Sequence, residues 1–459
     1  VPVPNYTAVD LSFSYDYFRT AFDFSSMDQH TSFHLIEKVG PIMSKLADDQ
    51  FNSPQLQEFI KSTSNTSFDL VIMEAVVMQS YYGLVHHVGS PPVIGIMSIG
   101  LIWNLADSIG TPSNPSYIPE TFLHFSDHMT FYERLQNTIF WLYARYKAYT
   151  ELFPLHDRVM RKHFGDELPS VYEAERNLSL LMVGTNWLFS YPAPVAPAVI
   201  PFHSLHVKTT PDQLPEDLKK FLDEATNGVI YFSFGSNVMG NEVPEEKIRV
   251  FIEVFSQLPQ KVLWKWESDT LPGKSANVRT GKWLPQQDIL AHPNVRLFIT
   301  QCGLQSFQEA VYHGIPLNVI LPFKQSVTNN GINQLNMGNN IMRYLLQCFQ
   351  EESLLSSADI ITQYKNYADK AKQMSILSRD EPKTSLERII WWTEYVIRHK
   401  GAKHLRSAAL DLNWCQYLLL DVVAFFLIST FALIFTVYHL CIIILSYFKN
   451  ALKIKFKFE

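Results

Sequence analysis

A chain of 459 residues with 47% hydrophobic content is too long for one ordinary domain and too apolar to be disordered, so two domains are expected. A net charge of −6, with no basic stripe interleaved with aromatics, argues against a nucleic-acid partner. The four cysteines, Cys302, Cys348, Cys415 and Cys441, stand far apart and suggest neither a disulfide framework nor a metal knuckle.

The opening "VPVPNYTAVDL" contains no charged n-region and no apolar h-region, so no signal peptide is visible there. Up to about residue 201 the pattern is mixed, mostly helical with a few strand candidates. In "FDLVIMEAVV" (68–77), the interior "LVIM" reads as a buried strand that meets Glu74 at its end. A helical stretch, 78–87, leads to paired prolines and the strand candidate "PPVIGIMS" (91–98). The segment "TPDQLPEDLKKFLDEA" (210–225) reads as a linker running into a capped helix.

Beyond it the chain becomes a regular αβ alternation. "GVIYFSFGS" (228–236) is a strand ending in a Gly-Ser turn. "PEEKIRVFIEVFSQL" is a helix with Pro244 near its first turn, acids at its positive end, and Ile248, Phe251, Phe255 and Leu258 on one face. "KVLWKW" (261–266) and "VRLFIT" (295–300) are further strands. A polar turn, Thr300-Gln301-Cys302-Gly303, then opens a helix that runs to His313. Gly314 stops it, Pro316 follows, and another strand spans 317–321. Such alternation predicts a parallel sheet with helices on both faces and a ligand beyond the carboxyl ends of the strands. Residues 235–236, 283–287, 301–305 and 323–330 are therefore expected to line one crevice. The helix that opens after Gly303 presents unpaired N–H groups and a positive dipole end, which favour phosphate.

Residues 422–448 contain no Asp, Glu, Lys or Arg. As a helix this run is about 40 Å long, enough to cross a hydrocarbon core of about 30 Å. Lys449, Lys453, Lys455 and Lys457 follow it and Asp411 and Asp421 precede it, which predicts a cytosolic tail and a lumenal bulk. The ending "KFKFE" resembles a Lys-X-Lys-X-X retrieval signal, so the expected location is the endoplasmic-reticulum membrane, single-pass type I. Asn5, Asn65 and Asn177 each begin an Asn-X-Ser/Thr acceptor for glycosylation on the lumenal side.

The segment "WLPQQDILAHPNVRLFITQCGLQSFQEAVYHGIP" closely resembles the signature of the UDP-glycosyltransferases, especially the membrane-bound insect type with UDP-glucuronosyl and UDP-glucosyl transfer. "NGVIYFSFGSNVMG", "QKVLWKWESD" and "WWTEYVIRHKGAKHLRSAALDLNWCQYLLLDV" extend the likeness over nearly the whole chain. The resemblance implies an α/β protein of GT-B architecture: two Rossmann-like domains with a C-terminal transmembrane helix. The boundaries expected on this basis are an N-terminal acceptor-binding domain at 1–205 and a linker at 206–225. A UDP-sugar-binding domain with a returning helix would take 226–400, a juxtamembrane segment 401–421, the span 422–448 and a tail 449–459.

Carried over by position, Trp283 would stack on uracil, Gln286 would hydrogen-bond uracil or ribose, and Glu309 would hold the ribose hydroxyls. Ser236 and the turn Gln301-Cys302-Gly303, with Gln305 and Ser306, would cradle the diphosphate. An Asp-Gln pair that holds the sugar hydroxyls in the family is replaced here by Gln325-Ser326, or by Lys324-Gln325 with a one-residue gap. Neither keeps the carboxylate; Lys324 would favour an acidic sugar. The chemistry implied is inverting and needs no metal and no cofactor, the UDP-sugar being a co-substrate. Consistently, no Asp-X-Asp pair occurs, and His30 and His34 lack a third ligand. A family His takes the acceptor proton and a carboxylate, here Glu74, orients it. That His lies in an opening segment ahead of Val1, and His30, His34, His86 and His87 do not match it, so the sequence reads as starting inside its gene product.

The expected function is transfer of a hexose, glucose rather than glucuronic acid, to a hydroxyl of a small lipophilic acceptor, as in detoxification. The alternative is a non-catalytic GT-B membrane protein that binds UDP or a small ligand. Besides donor, acceptor and membrane lipid, lateral contacts between anchored chains leave room for homo-oligomers.

Overall fold

The computed structural model describes residues 6–21, residues 32–319 except 65, 77, 124, 187, 189, 237, 238, 241 and 242, and residues 357–455. One compact unit extends to Arg406 and a second begins at Ser407.

In chain order the first unit opens with helices α1 (Phe13–Ala21), α2 (Ser32–Asn52) and α3 (Pro54–Thr63). Strand β1 (Val71–Glu74), helix α4 (Tyr82–His87), strand β2 (Val93–Met97) and helix α5 (Trp103–Ile109) follow. Helices α6 (Phe131–Lys147), α7 (Phe153–Phe164) and α8 (Val171–Glu175) then lead to β3 (Leu180–Gly184) and β4 (Val199–Phe202). The expected buried strand 68–77 thus contracts to its "VIME" portion. The stretch 78–87 is helical in two pieces, a 3₁₀ turn at Gln79–Tyr81 and then α4. Reciprocal capping boxes fix where α6 and α8 begin: Thr130 with Glu133, and Ser170 with Glu173.

β1 to β4 form one parallel sheet in the order β1-β2-β3-β4. Its central strands are apolar at successive positions: Leu180, Leu181, Met182 and Val183 are all fully buried. That composition suits a strand covered on both faces. The helical layer over this sheet also encloses charge. Arg145 of α6 lies 2.8 Å from Asp107 and 3.5 Å from Glu120, and its guanidinium stacks 3.7 Å from the centre of the Trp141 ring. Burial pushes the Glu120 carboxyl up to about 7 despite that guanidinium. Among the described residues nearby Glu175 pairs with no cation; it accepts from Gln79 at 3.1 Å and from Ser108, and burial pushes it up to about 7 as well. Ser80 meets His156 Nδ1 at 2.7 Å, and burial lowers that imidazole to about 4.

After α9 (Glu216–Asp223), the second sheet is built from β5 (Val229–Ser233), α10 (Glu245–Ser256), β6 (Lys261–Lys265), β7 (Val278–Gly281), α11 (Gln286–Leu290), β8 (Val295–Thr300), α12 (Leu304–His313) and β9 (Leu317–Val319). It too is parallel, in the order β7-β6-β5-β8-β9. Alternation along β5 explains its burial. Val229 and Tyr231 face a layer with Phe298 and Phe307, while Ile230 and Phe232 face one with Phe251, Phe255 and Trp264. The second layer is an aromatic cluster, with Phe232 and Trp264 ring centres 4.7 Å apart. α10 contributes most of the face expected from its spacing, with Phe251 and Phe255 buried and Ile248 packed beside them, and Leu258 joins that layer from just past the helix end.

The helix Ser357–Arg379 packs on α12, where Ser375 Oγ donates to the Tyr312 carbonyl at 2.6 Å. The helix Ser385–His399 returns to the first sheet: Val396 is buried in that core, and Arg388 donates to the Pro201 carbonyl at 2.9 Å. In the second unit, the helix Leu420–Lys455 carries an apolar run of 28 residues, Leu420–Tyr447, none of it buried. It is long enough and apolar enough to cross a membrane.

Candidate functional site

In the second sheet the strand order reverses between β5 and β8. Successive connections run outward from that seam in opposite directions, which leaves a crevice at the carboxyl ends of the two strands. Both strand ends carry polar turns into it. After β5, Gly235 adopts φ +81°, and a Cβ there would lie 3.3 Å from the Gln301 amide nitrogen, so the two turns meet closely. Lys265 Nζ donates to the Gly235 carbonyl at 2.8 Å and pairs with Glu267 at 2.8 Å, and Glu267 accepts the Gly240 N–H at 2.8 Å. This clip holds the loop after β5 from the neighbouring strand. Ser236 is exposed on that loop.

After β8 the chain turns sharply. Cys302 has φ +66°, a left-handed conformation unusual for a residue with a Cβ; Thr300 Oγ1 accepts its N–H at 3.2 Å. Its thiol is fully buried, and burial pushes it up to about 12. Gly303 follows as the residue before α12, and a Cβ there would meet nothing within 4 Å. Among the described residues no side chain caps the N-terminus of α12, so its first N–H groups have no intrahelical or capping partner there. The other end closes as expected, with Gly314 at φ +69° and the Ile315 N–H bonded to the Ala310 carbonyl at 2.9 Å.

Three of the sequence-derived residues converge on the first turns of α12. Gln286, the first residue of α11, donates through Nε2 to Ser306 Oγ at 3.0 Å and to Glu309 Oε2 at 2.6 Å. Its own oxygen accepts from the Tyr231 hydroxyl at 3.3 Å; burial holds that phenol well above its usual range. Glu309 is 7% exposed, and its second oxygen lies 3.4 Å from His206 Nε2. Trp283, just ahead of α11, is 80% exposed and packs into no core. Among the described residues this large indole beside a polar cleft has no packing partner.

Glu74 ends β1 of the other sheet. Its side chain is exposed and accepts the Val76 N–H at 3.4 Å; partial desolvation by the surrounding protein raises its carboxyl above the ordinary value. Among the described residues no histidine is hydrogen-bonded to it. Asn177 is exposed next to α8, its amide donating to the Glu173 carbonyl at 3.2 Å. Asn5, Asn65, Lys324, Gln325 and Ser326 lie outside the described residues. Among the described residues, no three His, Cys, Asp or Glu side chains gather as metal ligands. Sequence reasoning missed Tyr231, Lys265, Glu267 and His206. Each acts through a partner far away in the chain, and only the "YF" and "KW" of the strand motifs hinted at two of them.

The family model described as "UDP-glucoronosyl and UDP-glucosyl transferase" matches residues 16–457. The chain belongs to this family. UDP-glycosyltransferase UGT5 of Dactylopius coccus is 38% identical over 385 residues, covering 84% of this chain and 72% of the relative. UDP-glucosyltransferase 2 of the same organism is 32% identical over 458 residues, covering 98% of this chain and 87% of the relative. Among solved structures, spinosyn forosaminyltransferase SpnP matches with a TM-score of 0.50 at 12% identity, over 78% of this chain and 83% of that one. At that identity the likeness concerns the fold alone. The architecture is GT-B, and the family is one of UDP-sugar glycosyltransferases.

Proposed function

We propose that this UDP-glycosyltransferase transfers a hexose, glucose in preference to glucuronic acid, from its UDP-sugar to a hydroxyl of a small lipophilic acceptor. Transfer proceeds with inversion and requires neither metal nor cofactor. The observation that carries the reading is the uncapped N-terminus of α12 at the strand switch point, flanked by Gln286, Ser306 and the buried Glu309.

At that site the free N–H groups of α12 and the hydroxyls of Ser236 and Ser306, with the Gln301 and Gln305 amides, take the diphosphate. Cys302 and Gly303 set the turn that lets backbone approach it. Glu309 accepts the two ribose hydroxyls, and Trp283 stacks on uracil with Gln286 beside it. Gln325 and Ser326 take the sugar hydroxyls. The acceptor oxygen attacks C1 of the sugar, the C1–O bond to phosphate breaks, and UDP leaves with the electron pair. The helix N-terminus stabilises the charge that develops on UDP. The acceptor proton passes to a base oriented by Glu74.

The 28-residue apolar helix supports a membrane anchor, and the lysines after it support a cytosolic tail with the catalytic bulk in the endoplasmic-reticulum lumen. Asn177 is then available for glycosylation, and anchored chains are placed to form homo-oligomers. Conjugating lipophilic compounds in this location is a detoxifying activity. The preference for glucose draws on the name of the 32%-identical relative, a UDP-glucosyltransferase.

The test is an assay of microsomes carrying the protein, with UDP-glucose or UDP-glucuronic acid as donor and a panel of phenols and steroids as acceptors. Transfer from UDP-glucose is expected to dominate, and Glu309→Ala should lower its kcat/KM at least about 30-fold, the loss of two charge-assisted hydrogen bonds. Faster transfer from UDP-glucuronic acid would reverse the assigned sugar. UDP binding without transfer would make this a binding protein.

A further inference from the structure

His206 lies on the segment between the two sheets, which is laced to the donor side by hydrogen bonds to backbone. The Ser204 N–H donates to Gln308 Oε1 at 3.0 Å, the Lys208 N–H to Gln287 Oε1 at 2.8 Å, and the Asp212 N–H to Asp288 Oδ1 at 2.8 Å. Gln287 also donates to the carbonyl of His206 itself at 3.1 Å. The backbone of His206 is therefore fixed from both sides by residues of α11 and α12. Its ring is delivered to one place, where Nε2 lies 3.3 Å from the Gln305 carbonyl and 3.4 Å from Glu309 Oε1.

Both neighbours are acceptors. A lone pair on Nε2 would face two oxygens, so Nε2 carries a proton: its N–H is hydrogen-bonded to the Gln305 carbonyl, and Glu309 Oε1 stands beside it at ion-pair distance. Glu309 needs that donor. Its carboxylate is more than nine-tenths buried, and its hydrogen-bond and ion-pair partners among the described residues are the Gln286 amide and the His206 ring. A buried carboxylate without compensation is costly and tends to reorient or take up a proton. Gln286 donates to one oxygen at 2.6 Å, and the His206 ring stands 3.4 Å from the other. Each oxygen keeps one lone pair free, two acceptors side by side, as a vicinal diol requires.

We propose that His206 is a positioning residue for nucleotide recognition: it holds Glu309 in the orientation that accepts both ribose hydroxyls. The proposal rests on the reading of Glu309 as the ribose ligand. It makes the segment between the sheets part of the donor site, although none of its side chains needs to touch the nucleotide.

The test compares UDP with 2′,3′-dideoxyuridine diphosphate, which lacks both hydroxyls, by titration calorimetry on the full chain in detergent micelles. His206→Ala should weaken UDP about 5- to 10-fold and leave the dideoxy nucleotide within about 2-fold, because the effect acts only through those hydroxyls. His206→Gln, whose amide N–H reaches the same place, should restore UDP to within about 3-fold of the parent protein. In transfer assays the His206→Ala effect should fall on the KM for UDP-sugar and not on that for the acceptor. Equal weakening of the two nucleotides, no weakening of either, or no rescue by Gln would each overturn the proposal. Glu309→Ala separates the two levels. If it fails to discriminate UDP from the dideoxy nucleotide, the ribose reading itself falls; if it discriminates and His206→Ala does not, only the role of His206 falls.

Discussion

The two sheets are both parallel and both sandwiched, yet their interiors are stabilised differently. Around the first, α6 and α8 bury Arg145 and Glu175, α5 holds the half-buried Asp107 against that guanidinium, and Glu120 is buried on the loop joining α5 and α6. Around the second, Phe232, Phe251, Phe255 and Trp264 fill the layer, and buried polar groups collect at the carboxyl ends of the strands. The first interior thus holds ions whose balance depends on pH, whereas the second confines its polar chemistry to the rim where a ligand can bind. A parallel α/β scaffold tolerates either arrangement, and the contrast separates residues kept for stability from residues free for function.

The sharpest way to break the contrast is to remove the cation from the first interior. Arg145→Met should destabilise the protein by about 3–5 kcal/mol, since the buried Glu120 and the half-buried Asp107 would lose their guanidinium. The loss should be smaller at pH 5 than at pH 8, because both carboxyls can then take up a proton. Thermal unfolding of detergent-solubilised protein at the two pH values measures both effects.

A smaller effect tests the sign of the pH dependence. Glu175 is raised by burial to about 7, so the folded state keeps its proton after the unfolded chain has released it near the ordinary value of about 4.5. Its contribution is full below about pH 4.5 and is lost as pH rises to about 7. His156, lowered to about 4, acts in the opposite sense between about pH 4 and 6.5, stability growing as pH rises. Glu175→Gln should remove its share of the first slope, leaving the part due to Glu120, and should leave the second unchanged. Relative to the parent, the variant should gain about 2 kcal/mol between pH 5 and pH 7.5, read from urea unfolding.

The smallest effect on stability belongs to the rim. Trp283→Ala should change stability by less than about 0.5 kcal/mol, because the indole is 80% exposed. Its affinity for UDP should nonetheless fall by about 1–3 kcal/mol, the usual loss when an aromatic platform under a base is removed. A stability loss without an affinity loss would move Trp283 from the ligand to the scaffold.

Local structure in the second sheet was legible from residue patterns. β8 spans the predicted 295–300, α12 runs from Leu304 to His313, and Gly314 ends it, since each boundary is set by residues only a few positions away. The approach of the turn 283–287 to the start of α12 followed from the same logic, since strand ends in a parallel sheet bring their turns to one edge, whereas the contacts of Gln286 with Ser306 and Glu309 emerged only from the structure. The strand order was not legible. The switch between β5 and β8 depends on which apolar strand finds which neighbour, and every strand here is comparably apolar. The charge cluster at Arg145 was equally silent, since its partners lie 38 and 25 positions away with no local spacing to relate them. His206 escaped for another reason. An isolated histidine between a leucine and a valine has an ordinary appearance until the fold supplies a carboxylate.

The bend at Cys302 has one further consequence. Its thiol is sealed beneath the start of α12 and held protonated, whereas Cys415 and Cys441 are exposed. A thiol of that kind is inert to alkylating reagents until the turn opens, so its labelling rate is a clock for local opening at this one joint. A nucleotide seated on the helix above would slow the clock, and occupancy could be timed by the chemistry of a residue the nucleotide never reaches.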